Sequence, residues 1–323
     1  MQTDNEPNDS SSPLDTISSI GFLVNERPVA IYGILLRETS RQFIKLFDSA
    51  IWNHHLSLAT SIPIEEVTHE HVVFVRLAVS HAEEHLFSLI FAFLQAPHCP
   101  DLWLYHYKPS DLPEMVAKVE RGERILTQFK LAETSWTSIT KALWGGLDEK
   151  RYSLTALVLS RLAQHFICGH GRDEYNGLKH GMRLSLGGTS ISFSPGGSPD
   201  IMPPPDSYIG LGDSKFGSRF WSFEKMSGSK DHLRAKQRFS NWDFLELGSH
   251  LTHAAMLIHN MGTAFRVLAD IDGDREFLFF TGDAAYADDP RKLDGFIKGE
   301  SVANFDIPPS KRIDLEDIRK SYT

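Results

Sequence analysis

The stretch that decides the fold is residues 68–95, THEHVVFVRLAVSHAEEHLFSLIFAFLQ. Apolar residues occur on nearly every side of a helix drawn through it, and Pro97 and Pro100 follow directly after it. An exposed helix keeps a wide polar face, so a helix that is apolar on most sides is buried on most sides. Proline ends a helix because it lacks the N–H group and clashes with the preceding turn. The stretch therefore predicts the central helix of a helical bundle.

The bundle is predicted to extend over residues 37–183, because helical patterns also occupy 37–58, 125–144 and 152–168. Residues 20–36 mix β-formers with Gly and Pro and predict no single element. A long apolar helix over 242–269 follows Asn241, a good N-cap residue, and is expected to pack on the bundle.

The pattern changes over residues 184–230, where glycine and proline clusters separate short alternating runs such as Phe220-Trp221-Ser222-Phe223. Such runs are typical of hairpins or a small sheet. The predicted fold class is therefore mainly α, a helical bundle with a β-rich Gly/Pro insertion, which is α+β by a loose definition. The expected domains are a disordered 1–15, one helical domain over 16–275 that includes the insertion, and a peripheral strand and tail over 276–323.

The charge balance restricts the protein classes. The 323 residues carry 33 Lys and Arg against 42 Asp and Glu, a net charge of -9. This excludes a protein that coats nucleic acid through bulk charge, but it allows a local basic patch. The two cysteines, Cys99 and Cys168, fit no disulfide framework. With no signal-peptide pattern and no run of 18 apolar residues, a cytoplasmic protein without membrane segments is expected.

The candidate site lies in residues 172–183, RDEYNGLKHGMR. On a helix with 100° between residues, one arc of about 100° collects five polar side chains. They are Arg172, Asn176, Lys179, His180 and Arg183. We name these five residues the polar stripe.

The polar stripe has the residue types that phosphodiester chemistry requires. Cleavage without a metal needs a group that exchanges a proton near neutral pH and cations that stabilise the developing charge. His180 is predicted as the proton-transfer group and Arg183 as its catalytic partner, while Arg172, Asn176 and Lys179 bind the substrate. One alternative is an ordinary solvated helix face, neutralised by Asp173 and Glu174. Another is that Gly177 and Gly181 end the helix early, so that the polar stripe lies in a turn.

The element Tyr175-Asn176-x-x-Lys179-His180-Gly181 resembles a pattern in bacterial helical proteins, some of which belong to the HEPN superfamily. The resemblance covers at most residues 72–186. It implies an all-α bundle, a homodimer, and metal-independent ribonuclease activity from an Arg that precedes a His by four to six residues. Arg76 and His81 have that spacing, but they lie about 140° apart on a straight helix.

A metal site is the alternative for the histidines. His81 and His85 are spaced i, i+4, and His250 and His253 are spaced i, i+3, so two facing helices could present four ligands with Glu83 or Glu84 assisting. Ala82 stands where a zincin has its catalytic Glu. Buried or surface histidines remain the competing interpretation, and neither a metal nor a cofactor is expected.

The predicted function is therefore a HEPN-like protein that binds RNA or nucleotide phosphates, with ribonuclease activity as its catalytic form. The alternative is a non-enzymatic interaction or scaffold protein, of the kind found in bacterial defence or toxin–antitoxin modules, with a protein partner. Burial separates the two: a polar stripe that lines a cleft favours the enzyme, and a fully solvated one favours the scaffold.

Overall fold

The structure, a computed structural model, describes residues 17–180, 183–188, 191–193, 209–212, 214–225, 233–271, 276–278 and 303–304. The predicted disorder of 1–15 lies outside these residues. The fold is mainly α with a small β component, as predicted. The chain divides into two units, the first formed by 1–172 and 244–293, and the second by 173–243 and 294–323.

The first unit is a β-hairpin followed by a helical bundle. Its elements are β1 (Ile17–Val24), β2 (Arg27–Ile34), α1 (Leu36–Leu46), α2 (Ala50–Thr60), a 3-10 turn (Ile64–Glu66), α3 (His69–Gln95), α4 (Pro100–His106), α5 (Asp111–Glu120), α6 (Trp136–Leu143), α7 (Glu149–Ile167), the first residues of α8 (Gly169–Lys179), and α9 (Phe244–Leu268).

Helix α3 is the centre of this bundle, as predicted. Thr68 caps it in a capping box with His71, whose ring accepts the Thr68 backbone N–H at 3.2 Å. The helix packs chiefly on α9 and also contacts α2, α4, α5 and α7. By length and composition alone α3 could span a membrane, but 78% of that apolar stretch is buried inside the protein.

The first hairpin is anchored by Gln95 at the end of α3. Most of residues 20–36, to which the sequence assigned no element, lie in β1 and β2, which are joined by a two-residue turn in which Asn25 has a φ of 56°. The Gln95 carboxamide accepts the Asn25 N–H at 2.9 Å and donates to the Asn25 carbonyl at 3.1 Å. It also accepts from the Trp103 indole at 3.1 Å and donates to the Leu126 carbonyl at 2.8 Å.

Two helix predictions were wrong in extent. The helix predicted over 37–58 is α1 and α2, separated at residues 47–49, where the Asp48 carboxylate accepts the Ala50 N–H at 2.8 Å. The helix predicted over 125–144 is only α6, Trp136–Leu143. The preceding segment instead pairs with the end of α3, where the Gln128 N–H donates to the Leu94 carbonyl at 2.8 Å.

The second unit is built on antiparallel strands. β3 (Leu184–Leu186), β6 (Gly217–Lys225), β7 (Leu233–Asn241) and β8 (Ala303–Asn304) form a sheet in the order β3-β6-β7-β8, while β4 (Ile191–Phe193) pairs with β5 (Ile209–Gly212). Glu174 of α8 is buried and accepts hydrogen bonds from the Ser218 hydroxyl and, at 2.9 Å, from the Trp242 indole.

The strands extend past the β-rich insertion predicted over residues 184–230. The β-rich segment runs to Asn241 rather than 230 and forms a unit of its own, because its strands pair with one another and with β8. Residues 276–278, at the start of the predicted peripheral strand and tail, are not part of a sheet. The Asn260 side chain takes the place of a neighbouring strand, since it donates to the Leu278 carbonyl at 2.6 Å and accepts the Leu278 N–H at 2.8 Å.

Candidate functional site

The polar stripe is only partly helical. Helix α8 ends at Lys179, His180 lies in a turn, and Arg183 directly precedes β3. The prediction of a helix through Arg183 is therefore wrong, because the chain reverses and the Arg183 N–H donates to the Gly177 carbonyl at 2.8 Å. Asn176, Lys179, His180 and Arg183 are all exposed.

The remaining member of the polar stripe, Arg172, belongs to the first unit. Its guanidinium donates a hydrogen bond to the Pro109 carbonyl at 2.7 Å, so at least one of its N–H groups makes a structural contact within the first unit. The other four members belong to the second unit. The members of the polar stripe that belong to the second unit all lie between Asn176 and Arg183.

Strand β6 presents a row of exposed side chains in the second unit. Along it, burial alternates: Ser218, Phe220 and Ser222 are buried, and Arg219, Trp221 and Phe223 are exposed. Trp221 is 51% exposed and Phe223 is 63% exposed. Large aromatic side chains are rarely left this exposed next to each other on one sheet face without a partner.

The row continues onto β7. Phe239 pairs with Arg219 in the antiparallel register, and the Arg219 guanidinium carbon lies 4.8 Å from the centre of the Phe239 ring. Gln237 pairs with Trp221. We name Arg219, Trp221, Phe223, Gln237 and Phe239 the aromatic face.

One exposed member of the polar stripe, Arg183, lies at the β3 side of this sheet. Leu184 pairs with Phe220, and because the strands are antiparallel, the preceding Arg183 lies at the level of Trp221. Residues 217–241 contain six Lys and Arg against two Asp and Glu, whereas acids outnumber bases in the whole chain. The hairpin is thus the local basic region that the overall charge allowed.

A second polar cluster is buried in the first unit. Glu83 of α3, His165 of α7 and His250 of α9 bring donor atoms within 4.8 Å of one another. His165 Nδ1 lies 2.7 and 2.8 Å from the two Glu83 carboxylate oxygens, and His250 Nδ1 lies 3.7 Å from Oε1. The His165 and His250 rings meet edge to face, with centres 4.9 Å apart. We name these three residues the buried triad.

The charge states follow from these surroundings. Burial by itself raises the pKa of Glu83, but the facing His165 and His250 outweigh it and lower the pKa to about 2. Burial lowers the pKa of His165, against the pull of Glu83, and the buried Arg76 lowers it further. Glu83 is therefore an anion at neutral pH that accepts a hydrogen bond from a neutral imidazole.

The four histidines of the predicted metal site do not come together. His250 joins the buried triad, whereas His81 is exposed on α3. His85 accepts a hydrogen bond from the Trp52 indole at 3.0 Å. Burial, with His250 and Arg161 adding to it, lowers the pKa of His253 to about 4. The carboxylate of the buried triad is that of Glu83, one of the two glutamates named from the sequence. His165 was not predicted as a member of this cluster, because only the packing of α7 against α3 and α9 brings it next to Glu83.

The Arg–His pair with the superfamily spacing does not form a joint site. Arg76 is buried and donates to the Ser80 hydroxyl at 2.8 Å, while His81 is exposed. Because α3 continues unbroken through both residues, their angular separation is retained.

A pH dependence of stability arises from His85. Burial lowers its pKa to about 4 from the ordinary 6.5, and its Nδ1 accepts the Trp52 hydrogen bond only while it is unprotonated. The stabilisation is complete above pH 6.5 and is lost as the pH falls toward 4, by about 1.4 kcal/mol per pH unit. The free energy of unfolding, measured with urea at several pH values between 4 and 6.5, should therefore rise with pH in the wild type. His85→Gln should have a smaller slope of this free energy against pH.

The control for this measurement is the exposed His98. His98→Gln should keep the wild-type slope, and the His85→Gln variant should keep a residual slope from His253, whose pKa is lowered in the same direction. An unchanged slope in His85→Gln would show that the imidazole is hydrated in the folded protein.

Comparisons with known proteins identify no relative. No protein-family model, no curated protein and no solved structure matches this chain.

Proposed function

We propose that this protein binds single-stranded nucleic acid, RNA in the first place, through the aromatic face together with Lys179, His180 and Arg183. The observation that carries the proposal is the adjacent exposure of Trp221 and Phe223 on one side of a basic hairpin. Unpaired bases stack on such rings, each stacked base contributing about 1–3 kcal/mol, while nearby cations hold the phosphates.

A single strand suits this surface better than a duplex. Bases in a duplex are already stacked on one another and offer only their edges in the grooves, whereas those of a single strand expose both faces. On β6, Trp221 and Phe223 are two residues apart and point to the same side, a spacing of about 7 Å. That distance lets two neighbouring bases of an extended strand each stack on a ring.

Binding is proposed without cleavage. The chemistry predicted for His180 and Arg183 depends on groups that are held in a site from which water is excluded. Both side chains are exposed. Cleavage of labelled RNA by the wild type but not by His180→Ala would restore the ribonuclease interpretation.

The test uses the full chain and fluorescent oligo(U), with oligo(dT) and duplex RNA as comparison ligands. Replacing both Trp221 and Phe223 with Ala should weaken oligo(U) binding in fluorescence anisotropy by about 30-fold or more. Because both side chains are exposed, the free energy of unfolding should change little. Equal binding of oligo(U) and oligo(dT) would mean that the surface does not read the 2′-hydroxyl.

The matched control is Tyr105→Ala, which removes an aromatic side chain that is 85% exposed in the first unit. It should leave the affinity unchanged. Trp221 also provides a direct signal, because the other five tryptophans are buried. Oligo(U) should therefore quench wild-type tryptophan fluorescence, and the quenching should disappear in Trp221→Phe.

Two outcomes would overturn the proposal. One is equal affinity in the wild type and the double variant. The other is that the wild type does not bind oligo(U) and sediments as a dimer, whereas the double variant sediments as a monomer. The aromatic face would then be a protein interface.

A further inference from the structure

We propose that the buried triad, Glu83, His165 and His250, binds one divalent transition-metal ion of the zinc type. The site is separate from the proposed nucleic-acid surface, since all three residues belong to the first unit. Three helices that are distant in sequence, α3, α7 and α9, each contribute one donor. Metal sites in helical bundles are commonly built in this way, from side chains on facing helices.

The distances suit such an ion. Zinc binds imidazole nitrogen at 2.0–2.1 Å and carboxylate oxygen at 2.0–2.2 Å, so its donor atoms lie roughly 3.0–3.5 Å apart. The two Glu83–histidine nitrogen distances, 2.7 Å to His165 and 3.7 Å to His250, lie on either side of that range. Shifts of under about 1 Å would therefore convert the hydrogen-bonded arrangement into a coordinated one.

An unsatisfied donor atom points independently to a ligand. His250 Nδ1 is completely buried and has no hydrogen-bond partner in the described part of the chain, because 3.7 Å to Glu83 exceeds hydrogen-bond length. A buried polar atom without a partner costs about 1–3 kcal/mol. A metal ion between His250 and Glu83 would satisfy that nitrogen.

The donor set indicates which ion is bound. Two imidazoles and one carboxylate suit zinc and its transition-metal neighbours, whereas calcium and magnesium prefer oxygen ligands throughout. Three protein ligands leave a coordination position for water, as in catalytic zinc sites.

Binding has a defined proton balance. His165 is already a neutral imidazole and Glu83 is already an anion, so neither has to lose a proton to the solvent: when His165 Nδ1 donates its electron pair to the metal, the ring proton moves to Nε2. No oxidation or reduction takes place. Calorimetry in two buffers with different ionisation enthalpies should therefore show that well under one proton is released for each ion bound.

The experiment uses tag-free, chelator-treated full-length protein that is titrated with Zn²⁺, and with Co²⁺ as a visible-absorption probe. The wild type should bind about one ion and become more stable to heat. His250→Ala should bind Zn²⁺ more weakly by over 100-fold, which exceeds the roughly 10–100-fold cost of losing an outer-shell partner. His253→Ala, three residues along the same helix, is the matched control and should keep the site.

Circular dichroism of each variant ensures that a loss of binding is not a loss of fold, and Glu83→Gln provides a second, isosteric test. Equal Zn²⁺ affinity in the wild type, His250→Ala and Glu83→Gln would overturn the proposal, because the ion would then lie on other histidines. Absence of wild-type binding would overturn it as well and leave the buried triad as a structural hydrogen-bond network.

Discussion

Replacing Gln95 with Leu should lower the free energy of unfolding by about 3–4 kcal/mol, measured by urea denaturation at neutral pH. The buried carboxamide makes four hydrogen bonds, to both backbone groups of Asn25, to the Leu126 carbonyl and to the Trp103 indole. Leucine fills a similar volume but leaves those groups without a partner. Each buried polar group that loses its partner costs about 1–3 kcal/mol, although Trp103 keeps its hydrogen bond to the Leu23 carbonyl.

Gln164→Leu is the matched control, because Gln164 is exposed and, among the described residues, its side chain bonds to the side chains of Glu120 and Ser160 rather than to backbone groups. It should change the stability by no more than about 0.5 kcal/mol. A loss below about 1 kcal/mol in Gln95→Leu would mean that water replaces the carboxamide. The cavity of about 690 Å³ that Gln95 lines between the first hairpin and residues 126–128 is the place where that water would enter.

Glu83→Ala should destabilise the metal-depleted protein by about 2–4 kcal/mol. The substitution removes a buried carboxylate hydrogen-bonded to His165 and leaves a cavity among α3, α7 and α9. Glu83→Gln should cost less, because an amide oxygen still accepts from His165. Glu66→Gln, at an exposed glutamate, should change stability little.

The charge of Glu83 should also make the free energy of unfolding depend on pH below about 4.5. The pKa of Glu83 falls from 4.5 to about 2 in the folded protein, so its stabilisation is complete above pH 4.5 and is lost as the pH falls toward 2. The free energy of unfolding of the wild type, measured with urea, should therefore decrease as the pH falls from 4.5 toward 2. The free energy of unfolding of Glu83→Ala should depend less on pH over the same range. Parallel profiles would contradict a charged Glu83 in the folded state.

The helical part of the fold could be predicted because its signal is local. The all-round apolar character of residues 68–95 and the closing helix over 242–269 give α3 and α9 nearly to the residue. The breaks could not be predicted in the same way. Residues 125–135 leave the helical path because Gln95 and Leu94, about thirty positions earlier, bind their backbone.

The candidate sites show the same limit. Alternation in residues 218–223 predicts a strand, but it does not tell which face stays exposed, and that decides whether Trp221 is core or surface. Pairs of histidines on one helix were visible in the sequence. The buried triad takes one residue from each of three helices, and no spacing within a single helix encodes such a set.

The dependence of α3 on α9 also has a consequence during synthesis. Ribosomes add about 5–20 residues per second, so the roughly 150 residues from Gln95 to Phe244 take on the order of 10–30 s to emerge. For that time the nascent chain presents a 27-residue helix, apolar enough to span a membrane, without its main packing partner. Residues 173–243 of the second unit lie between the two helices in the sequence and prolong the interval, so the newly made chain is expected to depend on chaperones that cover α3.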